Sequence, residues 1–279
     1  TEFKKFYKNK SYKYKSYVLN GNEDKIEALT QLLDKHEIKY GIGKAATIKG
    51  FKYSTGKSGS MKSSEKSLVV SSDQTKSTLV KVLFEPNAKL SDSVTYDITA
   101  WSLPYAYGLD ALASESIVPS QSYSKPIATR QTLDKNAYAF ITEWNSLNDA
   151  RFLAELLQNK IKVRHSYKPF TLDGKTYERG SLIITRGDNN SNPLFPEVLG
   201  EIATKHFITL ETTATGFVDE GKDFGSRYVQ MIPNQKIAVL SGEPTSTYRF
   251  GEIWHFFEQQ LNHPISVIDS DYMDGYTKG

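Results

Sequence analysis

The sequence predicts an α/β chain: two related α/β units, then the opening strand–helix–strand of a parallel-sheet domain. Three observations predict it. Short apolar runs alternate with stretches of helical period along most of the 279 residues. The order of elements over residues 17–120 returns over 121–233. Residues 234–268 then read as strand, capped helix and strand, a length that implies a right-handed crossover and hence parallel strands. The divisions are a basic and aromatic linker (1–16), a first unit (17–120), a second unit (121–233) and a third pattern that starts at 234 and runs to 279.

In the first unit "YVL" at 17–19 is a strand that turns at Gly21-Asn22 into "KIEALTQLLDKHEIKY". Ile26, Leu29, Leu32 and Leu33 share one helical face there, and Asn22 or Asp24 can cap it. Ile38 and Tyr40 follow, then a loop rich in Gly, Ser and Lys (50–66) and the strand "SLVVSS" at 67–72. Asp73 can cap a helix that carries Leu79, Val80, Leu83 and Phe84 on one face. The second unit opens with the strand "YAFI" at 138–141, and Asn148 can cap "DARFLAELLQNKIKVR". Ile161 and Val163 answer Ile38 and Tyr40, and Asp173-Gly174 marks a hairpin turn. "SLII" at 181–184 answers "SLVV", and Asn192 with Pro193 signals a last helix start.

The third pattern begins with "KIAVLSG", a continuous apolar strand of the kind buried in parallel sheets. Its helix is followed by Pro264 and the strand "ISVID". A doubly wound, flavodoxin-like sheet needs several more strands than the ten residues after Asp269 supply. The third domain therefore reads as truncated, and the chain, which opens at Thr1 and ends on "DYMDGYTKG", as an excised piece.

Composition narrows the function classes. No stretch reaches the roughly 18 apolar residues of a membrane helix. The absence of cysteine excludes disulfides, thiolate metal sites and a cysteine nucleophile. A net charge of +3 is too small to imply a nucleic-acid partner. The one biased stretch, "FKKFYKNKSYKYKSY" at 3–17, interleaves six lysines with rings; such a segment can bind single strands, and as a solvated linker it needs no ligand.

"WHFFEQQLNH", 254–263, contains His255-x-x-Glu258, the spacing of some zinc peptidases. On a helix of ~100° per residue, Phe250, Ile253, Trp254, Phe257 and Leu261 form one apolar stripe, expected to be buried with Trp254 and Phe257 in the core. His255 lies about 120° from its centre and His263 points about 80° away from His255. A zinc ion needs three or four ligands converging at about 2.0–2.3 Å, which this helix does not offer. His36, His165 and His206 stand apart from acidic clusters. The prediction is that His255 and His263 bind no metal. "SGEPTST" at 241–247 has the place of an anion-binding turn but lacks a glycine-rich phosphate motif, and Ser241, Ser246 and Thr247 serve as helix caps. Two sets of residues remain as ligand or interdomain candidates. Asp97, Trp101, Tyr105, Tyr107 and Asp110 lie in the aromatic stretch 90–113, which serves equally well as a core plug. Arg164 and Arg186 each follow a strand and can take a carboxylate with both arms, or pair with an acid of the chain itself.

Three stretches carry a family likeness: "SDSVTYDITAWSLPYAYGLDA" (91–111), "RFLAELLQNKIKVRHSYKPFTLDGKTYERGSLIITRGDN" (151–189) and "KIAVLSGEPTSTYRFGEIWHFFEQQLNHPISVID" (236–269). They resemble the C-terminal region of large bacterial proteins similar to zinc carboxypeptidases of the carboxypeptidase A superfamily. In that architecture a peptidase domain comes first, α/β segments follow, and a glutamine-amidotransferase-like domain closes the chain. The resemblance implies that zinc, bound by His-x-x-Glu and a distant His, belongs to the peptidase domain. It implies no catalytic residue and no metal ligand here, since the amidotransferase likeness stops short of its nucleophile. The implied function is a non-catalytic accessory region that supports the peptidase domain or substrate access, with that domain and peptide substrate as partners. The likeness also leans towards an exported protein. A peptide- or glycan-binding module built on 96–110, and a hydrolase with a site between the repeats, are the other readings.

Overall fold

The computed structural model describes residues 12–87, 102–124 and 131–272. The chain divides into two compact units, Thr1–Pro126 and Ile127–Gly279. The fold is mixed α/β, and its two large sheets are antiparallel.

In the first unit β1 (Ser16–Asn20) leads into α1 (Glu23–Lys35). Next come β2 (Gly41–Ile42), a hairpin of β3 (Ala46–Lys52) and β4 (Lys57–Ser63), and β5 (Leu68–Ser71). The unit ends with α2 (Ser77–Phe84), the short α3 (Leu103–Ala106), β6 (Asp110–Ser114) and β7 (Gln121–Ser122). The strands lie in the order β4-β3-β6-β1-β5-β2-β7. Both faces of the central strands are covered. Tyr17, Leu19, Leu68, Val70, Ala111 and Ala113 face the helices, which contribute Ile26, Leu29, Leu33, Val80 and Phe84. Val18, Val69 and Leu112 face Met61 and Val118 on the other side. Two-sided burial explains the unbroken apolar runs of β1 and β5; strand direction does not enter, because pairing polarity leaves no mark on such a run.

The second unit holds β8 (Ala139–Thr142), α4 (Leu147–Gln158), β9 (Arg164–Ser166), the hairpin β10 (Phe170–Leu172) and β11 (Lys175–Tyr177), and β12 (Leu182–Thr185). Then come α5 (Phe195–Lys205), β13 (Glu211–Thr213) and β14 (Val229–Met231). The sheet order is β13-β8-β12-β9-β14. Phe140, Leu182 and Ile184 meet Phe152 and Leu156 of α4 and Phe195, Leu199 and Ile202 of α5. Ala139, Ile141 and Ile183 face the hairpin through Phe170, Leu172 and Tyr177. Read from β6 to β7, the first sheet has the same sequence of elements across its strands as the second from β13 to β14. The first unit's hairpin extends its sheet through β3–β6, whereas the second unit's hairpin stays a separate two-stranded ribbon.

Residues 237–269 form the strand–helix–strand: β15 (Ile237–Ser241), α6 (Thr247–Trp254) running on into a π-helical turn (His255–Gln260), and β16 (Ile265–Asp269). The two strands pair in parallel, Ile237 opposite Ile265 and Ser241 opposite Asp269.

Several sequence expectations are corrected. The expected loop at 50–66 is largely the β3–β4 hairpin, whose pairing runs from Ala46↔Ser63 to Lys52↔Lys57. Its alternation is written in Ser, Lys and Gly, which carry little apolar signal. Asp149, whose carboxylate accepts the Ser146 amide at 2.6 Å and the Asn145 amide at 2.7 Å, orders the start of α4; Asn148 lies inside the helix. α2 begins at Ser77, four residues after Asp73, and α5 begins at Phe195, with Pro196 rather than Pro193 in its first turn. The expected hairpin turn is present, with Asp173 and Gly174 both at positive φ (51° and 74°), as a tight hairpin of matching twist requires. The apolar stripe of α6 is not buried: Trp254 is 36% and Ile253 42% exposed, and no residue from 230 to 272 is fully buried.

Candidate ligand site beside Tyr138

The second unit's sheet ends, past β12, in the loop Thr185-Arg186-Gly187-Asp188-Asn189-Asn190. Two polar fixings make this loop rigid. Arg164 donates Nε to Asp188 Oδ2 at 2.6 Å and Nη2 to Oδ1 at 2.8 Å, a two-armed pair, and the Thr185 hydroxyl donates to the same carboxylate at 2.7 Å. Hydrogen bonding to Arg164, against the opposing effect of burial, holds the Asp188 carboxyl below the ordinary aspartate range and raises the Arg164 guanidinium. Asn189 is buried, accepts the Lys162 amide at 2.8 Å and donates to the carbonyls of Lys162 and Thr185, each at 3.0 Å.

With Asp188 engaged by Arg164, Arg186 is left over. Its backbone amide donates to the Tyr138 carbonyl at 2.9 Å, but its exposed guanidinium has no hydrogen-bond or ion-pair partner among the described residues. It lines a depression of about 400 Å³ together with Tyr138, Asn190, Asn192, Phe195 and Lys135. Lys135 pairs with Glu197 at the rim, and that hydrogen bond keeps the Glu197 carboxyl below its ordinary range. Tyr138 is 41% exposed and separates this depression from an open hollow of about 700 Å³ lined by Thr215, Phe217, Lys222, Asp223 and Ser226. The ring rests on Gly216, where an added Cβ would come within 2.7 Å of Cε1; only glycine lets the phenol stand where it does. Phe217 projects across the hollow with 77% of its surface exposed.

The depression offers a fork of N–H donors with no acceptor among the described residues, amide side chains beside it, and the exposed Tyr138 ring in the same lining. A guanidinium matches a carboxylate in geometry as well as charge.

The other sequence candidates are placed as follows. Arg164 is engaged by Asp188 and supports the site from behind. Tyr105 is 52% exposed and packs on Tyr53 at 5.1 Å between ring centres, Tyr107 lies partly buried against the first unit's core, and Asp110 starts β6 and accepts the Ser54 hydroxyl at 3.4 Å. Asp97 and Trp101 lie outside the described residues. Glu258 accepts the Trp254 indole N–H at 2.8 Å, His263 packs on the Phe257 ring at 6.2 Å, and His255 is exposed. Among the described residues no group of three or more His, Asp or Glu side chains converges as metal ligands, and no helix is long and apolar enough to cross a membrane. Tyr138, Phe217 and Asn190 were not singled out from the sequence; Tyr138 opens a strand run and Phe217 sits in a glycine-rich loop, where a ring reads as packing until its exposure is known. No family model, curated protein or solved structure matches the chain.

Proposed function

We propose that the chain is a non-catalytic accessory region of a carboxypeptidase-like protein, and that its second unit holds peptide by the free carboxylate end. The observation that carries the reading is the Arg186 guanidinium, without a partner among the described residues, set on a loop that Arg164–Asp188 and Asn189 fix in place, at the edge of a depression walled by Tyr138. The sequence likeness to the region that follows a zinc peptidase domain supports the same role, since peptide ends are what such a domain processes. In this reading zinc belongs to the peptidase domain, and that domain is the partner.

The shared strand order of the two sheets supports one structural plan used twice, and the parallel register of β15 and β16 supports the start of a flavodoxin-like sheet.

The test is a calorimetric titration with a short peptide ending in an aromatic residue, offered with a free carboxylate and as its amide. The free acid binds and the amide binds at least about tenfold more weakly, as loss of a charge-assisted pair requires. Arg186→Gln erases the difference. Equal binding of acid and amide by the unaltered chain would refute the assignment of Arg186.

A further inference from the structure

A second group of cations lies elsewhere on the same unit, gathered about Tyr228. Past the β9–β14 ladder the two segments continue side by side, the Tyr167 amide donating to the Tyr228 carbonyl at 2.8 Å. This brings Lys168 over the Tyr228 ring, Nζ 4.4 Å from its centre. From the other side Arg227 donates Nη2 to the phenol oxygen at 3.1 Å, its guanidinium carbon 5.1 Å from the ring centre. Lys222, on the loop before β14, acts on the same phenol by charge. Lys168, Lys222 and Arg227 are all exposed, and none has a carboxylate partner among the described residues. Two acids of the same loop are turned to backbone, Asp223 accepting the Val218 amide at 3.0 Å and Asp219 the Gly174 amide at 3.1 Å, while Glu220 between them is exposed.

Lys168 and Arg227, brought together from two segments, repel one another, and a phenol face offsets that only in part. Cations gathered without a counter-charge among the described residues are the arrangement that an external oxyanion completes: a flat fork, an ammonium group and a phenol hydroxyl offer donors from several directions. We propose that Lys168, Arg227 and the Tyr228 hydroxyl form a binding site for a phosphate group, carried either as the free ion or as a monoester. The phenol reports the same field: the Arg227 hydrogen bond first, then the charges of Lys168 and Lys222, hold it below the ordinary tyrosine range. This site does not depend on the role of Arg186, which lines a different depression.

The experiment titrates inorganic phosphate into the full chain at constant ionic strength and follows the backbone amide signals of Tyr167, Lys168, Arg227 and Tyr228. The expected result is a saturable shift confined to these signals. Lys168→Gln or Arg227→Gln weakens it at least about fivefold, the scale of one lost charge-assisted contact, while Arg186→Gln leaves it unchanged. Glycerol phosphate is run in parallel: tighter binding than inorganic phosphate identifies an ester as the ligand, and equal or weaker binding identifies the free ion. The replaced side chains are exposed, and unchanged amide spectra elsewhere confirm that the variants are folded. Shifts that chloride reproduces at the same ionic strength, or that survive in the Lys168→Gln/Arg227→Gln double variant, overturn the proposal.

Discussion

Arg164 and Arg186 show how one residue type acquires two uses. Both follow or open strands of the same sheet, and the sequence offers each as a carboxylate ligand. The structure gives Arg164 an internal carboxylate and, among the described residues, gives Arg186 none. The distinction was not legible beforehand because it depends on how the loop after β12 turns Asp188 back towards β9, a matter of tertiary geometry rather than of spacing. The pair has a pH consequence. The folded-state pKa of Asp188 lies below its ordinary value of 3.8. A depressed carboxyl contributes stability that is fully present above the unfolded pKa and is lost as pH falls through the folded one. The chain should therefore lose stability as pH falls below about 4, partly through this group. Asp188→Asn lowers the melting temperature at pH 7, with a cost of about 1.5–3 kcal/mol for the lost charge-assisted pair. It also flattens the acid limb of the melting curve. An acid limb as steep in the variant as in the unaltered chain would show that Asp188 is not one of the groups responsible.

At the scale of elements, helices were the legible part. α1 declares itself through apolar residues at helical spacing and buries Ile26, Leu29 and Leu33 of the face so marked; α4 and α5 likewise bury Phe152 and Leu156, and Leu199 and Ile202. The β10–β11 turn was equally plain, because Asp-Gly at positive φ has a local cause. The parallel pairing of β15 and β16 was legible too, from the length of the strand–helix–strand; the polarity of the two large sheets was not, because a strand buried on both faces reads alike in parallel and antiparallel settings. The element that departs furthest from expectation is α6, whose stripe was marked for a core and lies half open. Its π-helical continuation is attached to α4 by polar contacts instead. Arg151 donates Nε to the Gln260 carbonyl at 2.8 Å and Nη2 to Gln260 Oε1 at 2.7 Å, braced by Asn148 at 3.0 Å, and Asn234 reaches the Leu157 carbonyl at 3.2 Å. Segments fixed by few contacts open locally at lower free energy than the core. Arg151→Ala should then speed amide exchange in β15 and β16 by roughly tenfold, the scale of one charge-assisted attachment, and leave β8 and β12 as slow as before. Faster exchange throughout the second unit would mean that the arginine stabilises the whole unit, and unchanged exchange that the attachment carries no weight.

At the scale of the molecule, each of the two units owns its apolar interior. Among the described residues, the clusters around Tyr17 and around Val18 draw on residues up to Tyr123, and those around Phe140 and around Ile141 on Leu133 and beyond. Each of the two large sheets is covered on both faces by elements of its own unit, which is the condition for independent folding of a domain of ordinary size. The candidate carboxylate site and the proposed phosphate site draw every lining residue from the second unit. Residues 127–279 expressed alone should therefore fold with their own cooperative transition and bind the free-acid peptide and phosphate within about twofold of the full chain, since neither set of contacts is lost. The measurement is a thermal melt of the isolated unit followed by the two titrations. A unit that melts cooperatively yet binds neither ligand would mean that the first unit completes the sites. A unit without a cooperative melt would mean that the interior traced here is insufficient by itself.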